Sequence, residues 1–155
     1  MILKEDSSEQ KLRGAYYTPL KLAKKMVDFF KDDLSIKSIL EPSCGDGVFV
    51  DALLESQFLS QHKRVTAIEI EKKEAEKLSE KLKDNSNIDV VNGDFFEFYH
   101  KHKDMDTYDL ILGNPPYIRY QYLEEKQRSE MAEILTSHGM KANKLINTWV
   151  GFMVA

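Results

Sequence analysis

Residues 36–59 read IKSILEPSCGDGVFVDALLESQFL and carry a short apolar run, a glycine-bearing turn and an apolar helix face in succession. Ile36 to Leu40 stops at Glu41-Pro42. Proline removes a backbone donor and fixes φ, so this run reads as a short buried strand. Glu41-Pro42-Ser43-Cys44-Gly45-Asp46-Gly47 follows as a loop, and Val48 to Leu59 spaces its apolar residues for one face of a helix. Strand, tight glycine loop and helix in this order open a βαβ unit.

The alternation continues on both sides. Arg64 to Ile70 (RVTAIEI), Ile88 to Val91 and Tyr108 to Leu112 (YDLIL) read as further strands, and Glu71 to Lys83 is rich in helix formers. Upstream, Leu22, Met26, Phe29 and Phe30 recur at helical spacing, with Thr18 expected as the N-cap and Pro19 at the first helical position. Glu124 to Leu135 and Lys144 to Ala155 read as helices. Strands alternating with helices predict an open α/β sheet of at least four parallel strands joined by right-handed crossovers. The last segment, NTWVGFMVA, stops in apolar sequence without a cap or turn, so later strands are expected beyond it.

Composition narrows the classes. The chain has 155 residues, 42% hydrophobic and 31% charged, enough for a packed core and too apolar for wholesale disorder. The single cysteine, Cys44, excludes a disulfide framework and suits a reducing, cytoplasmic compartment. No apolar run is long enough for a membrane helix. His62, His100, His102 and His138 lack the spacing of metal ligands, so no metal is expected. With 22 basic against 26 acidic residues the net charge is −4, which is unlike a stand-alone nucleic-acid binder.

Each strand is followed by a loop of unusual content, and ligands of open parallel sheets bind at those carboxyl ends. After the first strand, Gly45 and Gly47 let the backbone approach a ligand and open a helix whose first amides attract polar groups. Position 50 is Val50, so the three-glycine dinucleotide fingerprint is broken, and no Gly-Lys-Ser/Thr follows to form a P-loop. Glu69 closes the second strand where an acid accepts from both ribose hydroxyls. Gly93-Asp94-Phe95-Phe96 places an acceptor for an exocyclic amine beside an aromatic face. Together these loops describe a pocket for a nucleoside without a phosphate. After the fourth strand, Asn114-Pro115-Pro116-Tyr117 is a rigid turn presenting an amide and backbone carbonyls.

GAYYTP (14–19), EPSCGDGVF (41–49), AIEI (67–70), GDFF (93–96) and NPPYIR (114–119) occur in that order. In these segments the chain resembles the gamma-class adenine-N6 DNA methyltransferases of restriction–modification systems. The resemblance implies a Rossmann-like class I methyltransferase fold, cut short after about four parallel strands. It makes residues 1–35 a helical cofactor-contact segment and 36–155 the α/β core, with a target-recognition domain lying outside this sequence. It also implies S-adenosylmethionine as cofactor. Tyr17 and Thr18 then hold its methionine end with the loop of Glu41, Pro42, Cys44, Gly45 and Gly47. Glu69 binds the ribose, Asp94 accepts from the cofactor's adenine amine, and Phe95 packs on that ring. Asn114 to Tyr117 hold the target base, Asn114 also bordering the cofactor, and residues 147–152 resemble a weaker element lining the adenine pocket.

The chemistry implied is direct displacement. The exocyclic nitrogen of adenine is a poor nucleophile because its lone pair is delocalised, and acceptors at Asn114 and Pro115 would draw it toward tetrahedral geometry. Tyr117 would stack on a base swung out of the duplex. Arg119 reads equally as a phosphate contact or a solvated side chain, and Cys44 as a small residue packed on the turn. Double-stranded DNA is the expected partner of the whole protein. The chain shown here is expected to be inactive alone and, through its apolar end, able to self-associate. Two other readings fit the same motifs: methylation of a glutamine amide in a protein or a guanine amine in ribosomal RNA, or a non-catalytic module.

Overall fold

A computed structural model describes residues 17–59, 63–105, 107–143 and 146–155. Gly14, Ala15 and Tyr16 of the GAYYTP segment, His62 and the start of the last expected helix at Lys144 lie outside the described residues. The chain divides into two compact units, one of residues 17–114 and one that includes 115–155.

The first unit is an α/β sheet. Its elements are α1 (Leu20–Asp28), β1 (Ser38–Glu41), α2 (Val48–Glu55), β2 (Arg64–Glu69), α3 (Lys72–Lys81), β3 (Ile88–Asn92), α4 (Phe95–His102) and β4 (Leu110–Ile111). The four strands lie in the order β3-β2-β1-β4, and every pairing is parallel. Register is set by Ile39 opposite both Val65 and Leu110, and by Val65 opposite Ile88. Alternation then places Ile39, Val65 and Leu110 on one face, where they pack with Ala23, Val27, Phe49, Ala52 and Leu53 of α1 and α2. Farther along the sheet, Ala67 packs with Val50 of α2 and with Leu78 of α3.

Chain order explains the crevice. The chain steps outward from β1 through β2 to β3, then returns past both to form β4 on the far side of β1. Strand order therefore reverses between β1 and β4, and the loops leaving them diverge at that point.

Several boundaries differ from the sequence reading. Pro19 occupies the N-cap of α1, one residue later than expected, and Thr18 makes no cap. The buried stripe of α1 is Ala23 and Val27, whereas Leu22 is half exposed and Phe29 is 84% exposed. Of the expected stripe, Met26 and Phe30 do pack against this core as partly buried residues, while alanine and valine fill the closest contact with α2. Strand β4 spans only Leu110–Ile111, since Asp109 instead turns its carboxylate back onto the Lys37 and Ser38 amides at 2.8 and 2.9 Å. Helix α4 has no counterpart in the sequence reading. Its aromatic run, Phe95-Phe96-Glu97-Phe98-Tyr99, has modest helix propensity, and Asp94 starts it by accepting from the Phe96 amide at 2.8 Å.

In the second unit, a 3-10 turn (Tyr120–Tyr122) leads to α5 (Glu125–Ser137) and α6 (Thr148–Val154), which pack on each other. Glu124 and Gln127 form a capping box at the start of α5. Among the described residues no helix is long and apolar enough to cross a membrane.

Gly47 is the N-cap of α2 with φ +84°, and a Cβ there would run into the Leu78 side chain, which is itself buried. Gly47→Ala is therefore expected to destabilise the unit by about 1–3 kcal/mol, read as a lower urea midpoint with an unchanged slope. A midpoint equal to wild type would show that Leu78 yields without cost.

Candidate functional site

The loop after β1 is held from within. The Cys44 amide donates to the Ile68 carbonyl at 2.8 Å, and the Gly47 amide to the Cys44 carbonyl at 2.8 Å. The Gly45 amide donates to Glu69 Oε2 at 2.8 Å, and the Glu71 amide donates to Oε1 of the same carboxylate at 2.7 Å. The loop amides of Gly45 and Gly47 are thus engaged inside the protein rather than presented to a ligand. This differs from the expectation for a glycine loop, because the acid at the end of β2 lies close enough to take one of them. Gly45 has φ +55° and open space where a Cβ would point, so one side of the turn can be approached closely.

Glu41 ends β1 and is 1% exposed. Its Oε2 is shut away from solvent without a hydrogen-bond partner, as is the Ser43 hydroxyl two residues on. Burial pushes the Glu41 carboxyl well above its ordinary range, and the charges of Asp46, Asp51 and Glu69 push the same way. Burial also raises Glu69, against the lowering effect of the two amides it accepts. The Cys44 thiol is buried and held far above its ordinary range by the same desolvation, which makes it inert as a nucleophile. Ser43 escaped the sequence reading. Only its position between Pro42 and Cys44, inside the loop, could have drawn attention to it.

At the end of β2, the Asn92 side-chain amide donates to the Glu69 carbonyl at 2.9 Å and the Gly93 amide donates to it at 3.0 Å. The end of β3 is tied there to the end of β2. Asp94 Oδ1 accepts from the Phe96 and Glu97 amides, at 2.8 and 3.3 Å, so that oxygen is committed to capping α4. Phe95 is buried, with its ring 5.6 Å from Phe96 and 6.4 Å from Tyr99 between centroids.

Beyond β4, Gly113 lies against the first loop, where an added Cβ would sit 3.4 Å from Pro42 Cδ. Asn114 Nδ2 donates to Thr18 Oγ1 at 3.3 Å, which brings two expected site residues together across 96 positions of sequence. Tyr17, beside Thr18, is exposed. In the other unit, the Thr148 hydroxyl donates to the Pro116 carbonyl at 2.5 Å, so one residue of the 147–152 segment contacts the proline turn. Among the described residues no three His, Cys, Asp or Glu side chains gather as a metal ion would need.

The raised carboxyls carry a pH dependence. Folded Glu41 and Glu69 hold protons more tightly than the unfolded chain does, so unliganded stability falls as pH rises above about 4.5. Glu41→Gln is expected to flatten this slope and raise the melting temperature at pH 8 more than at pH 5. An equal shift at both values would contradict burial as the cause.

Comparison with known proteins agrees with this architecture. The Eco57I restriction-modification methylase family matches over residues 15–154. The Type II methyltransferase M.HincII of Haemophilus influenzae is 32% identical over 128 residues, 83% of this chain and 22% of that protein. The chain thus spans less than a quarter of the curated relatives it matches at 21% and 22% of their length. The methyltransferase subunit of a type I restriction-modification system from Streptococcus thermophilus has a similar structure, with TM-score 0.65 at 16% identity. That likeness covers 90% of this chain and 31% of the other. An O-methyltransferase from Bacillus cereus, solved in complex with SAH, has TM-score 0.54 at 17% identity over 71% of this chain and 50% of its own. At such identities the shared feature is the fold, that of class I S-adenosylmethionine-dependent methyltransferases. Since the family match runs through every strand and loop of the crevice and on through α6, the chain belongs to the Eco57I restriction-modification methylases.

Proposed function

We propose that this chain is the cofactor-binding and amine-binding part of a DNA methyltransferase that modifies the N6 amine of adenine, with S-adenosylmethionine as methyl donor. The observation that carries the reading is Asn114-Pro115-Pro116-Tyr117 leaving β4 at the reversal of strand order. Family membership and the Type II methyltransferase names of its relatives support it. The whole protein then works in the cytoplasm on double-stranded DNA, with a recognition region outside these residues adding DNA contacts to those of this chain, whose net charge is −4. Residues 1–35 serve as the cofactor-contact segment and 36–155 as the catalytic core.

The crevice suits the cofactor chemically. A cationic ammonium group would supply the partner that buried Glu41 Oε2 lacks, and Ser43 offers a hydroxyl beside it. Tyr17, Thr18, Pro42, Cys44, Gly45 and Gly47 border that end, Glu69 the ribose, and Asp94 with Phe95 the adenine. When bound, S-adenosylmethionine supplies a sulfonium methyl as the electrophile.

The chain's own residues prepare the nucleophile. The contact of Asn114 Nδ2 with Thr18 gives its nitrogen the donor role, so its oxygen is the atom for accepting an amine N–H. The Pro115 carbonyl accepts the second N–H, and the two acceptors localise the nitrogen lone pair. Tyr117 holds the ring of a base extruded from the duplex, since the amine is out of reach inside the stack. Catalysis then rests on orientation and fixed dipoles, with no covalent enzyme intermediate.

The test is a nucleoside digest of unmethylated bacterial DNA after incubation with the full-length protein and labelled S-adenosylmethionine. Label is expected in N6-methyldeoxyadenosine, and Asn114→Ala should lower kcat about 100-fold or more. Label on cytosine, on RNA or on a protein glutamine would overturn the adenine reading.

A further inference from the structure

Thr148 stands in the 115–155 unit at the first position of α6 and is 2% exposed. Its hydroxyl donates to the Pro116 carbonyl at 2.5 Å and accepts from the Ile118 amide at 3.0 Å. Its own amide donates to the Ile118 carbonyl at 2.8 Å. The frame around it is laced by backbone contacts, with Arg119 bridged to Asn147 and the Tyr120 amide donating to the Ile146 carbonyl at 3.0 Å.

These contacts bracket one residue. The Pro116 carbonyl belongs to the peptide plane before Tyr117, and the Ile118 amide to the plane after it. Between two planar peptides only φ and ψ of Tyr117 can vary. One buried hydroxyl bound to both planes therefore holds both dihedrals and with them the direction in which the Tyr117 side chain leaves the backbone.

From this geometry we infer that Thr148 is a positioning residue for Tyr117, setting the ring against the target base. The inference rests on the reading of Asn114 to Tyr117 as the base-holding turn. It assigns the hydroxyl of the 147–152 element to the base side of the reaction rather than to the cofactor's adenine. The side chain suits the task, because a β-branched residue has few rotamers and its hydroxyl can donate and accept at once.

Two variants of the full-length protein separate this role from general packing. Thr148→Val keeps the shape and removes the hydroxyl, whereas Thr148→Ser keeps the hydroxyl and removes a methyl. Three quantities are read: kcat and KM for methyl transfer to unmethylated bacterial DNA, the calorimetric Kd for S-adenosylmethionine, and hydrogen exchange at the Ile118 amide. In Thr148→Val, kcat should fall about tenfold and Ile118 exchange should quicken, while the cofactor Kd stays at its wild-type value. Thr148→Ser should stay within about twofold of wild type in all three. A wild-type kcat in Thr148→Val, equal damage in both variants, or a loss confined to the cofactor Kd would each overturn the assignment. If the wild type modifies no DNA, the base-holding reading fails, and Ile118 exchange still decides whether the hydroxyl clamps the turn.

Discussion

Two backbone amides, those of Gly45 and Glu71, donate to the two oxygens of one carboxylate, Glu69, at 2.8 and 2.7 Å. The loop after β1 and the turn after β2 meet at that side chain. The Glu69 carbonyl, in turn, receives the Asn92 side chain and the Gly93 amide from the end of β3. Three loops at the carboxyl ends of three adjacent strands thus converge on a single residue. A shorter side chain at this position would take the acceptor from both amides, and glutamine from one of them. Glu69 consequently has a structural duty before any ligand arrives, and loss of binding on its removal would mix collapse of the loop with loss of the ribose contact proposed above.

Glu41 presents the opposite case. Glu69 is buried and bonded, whereas Glu41 is buried with one oxygen unpartnered and three like charges raising its proton affinity. A buried carboxyl oxygen without a partner is costly. On the function proposed above, a cationic group of the cofactor would supply that partner at the end of β1. The two acids divide the labour: one fixes the walls of the crevice, the other leaves an unmet demand inside it.

The fold was legible where chemistry is local. The strands β1 and β2 follow from short apolar runs ended by proline or acid, and their parallel pairing from the helices between them, whereas the order β3-β2-β1-β4 is not encoded in any local pattern. What escaped was set by partners distant in sequence. The inward face of α1 is chosen by its close packing with α2, which favours Ala23 and Val27 over the larger Leu22 and Phe29. β4 is shortened because Asp109 reaches amides 71 and 72 residues away. Helix α4 depends on the Asp94 cap more than on its aromatic sequence. Around the crevice, residue types suggested a nucleoside site, and that reading stands as part of the proposed function. Their internal commitments, Gly45 to Glu69, Asp94 to α4 and Thr148 to Pro116, are geometric facts that spacing does not encode.

The Asn114–Tyr117 turn joins the two units and is anchored in each one separately. Asn114 is held by Thr18 within the sheet unit, and the backbone around Tyr117 is held by Thr148 within the other. Between these anchors lie Pro115 and Pro116, whose rings fix φ near −65°, and each residue before a proline is confined to extended conformations. Asn114 and Pro115 are therefore both restricted by the ring that follows them, and Pro115 and Pro116 by their own. Serines in place of the prolines would keep every acceptor atom and lose this stiffness. The double proline thus restricts the backbone dihedrals of Asn114, Pro115 and Pro116 themselves, independently of the hydrogen bonds made on either side.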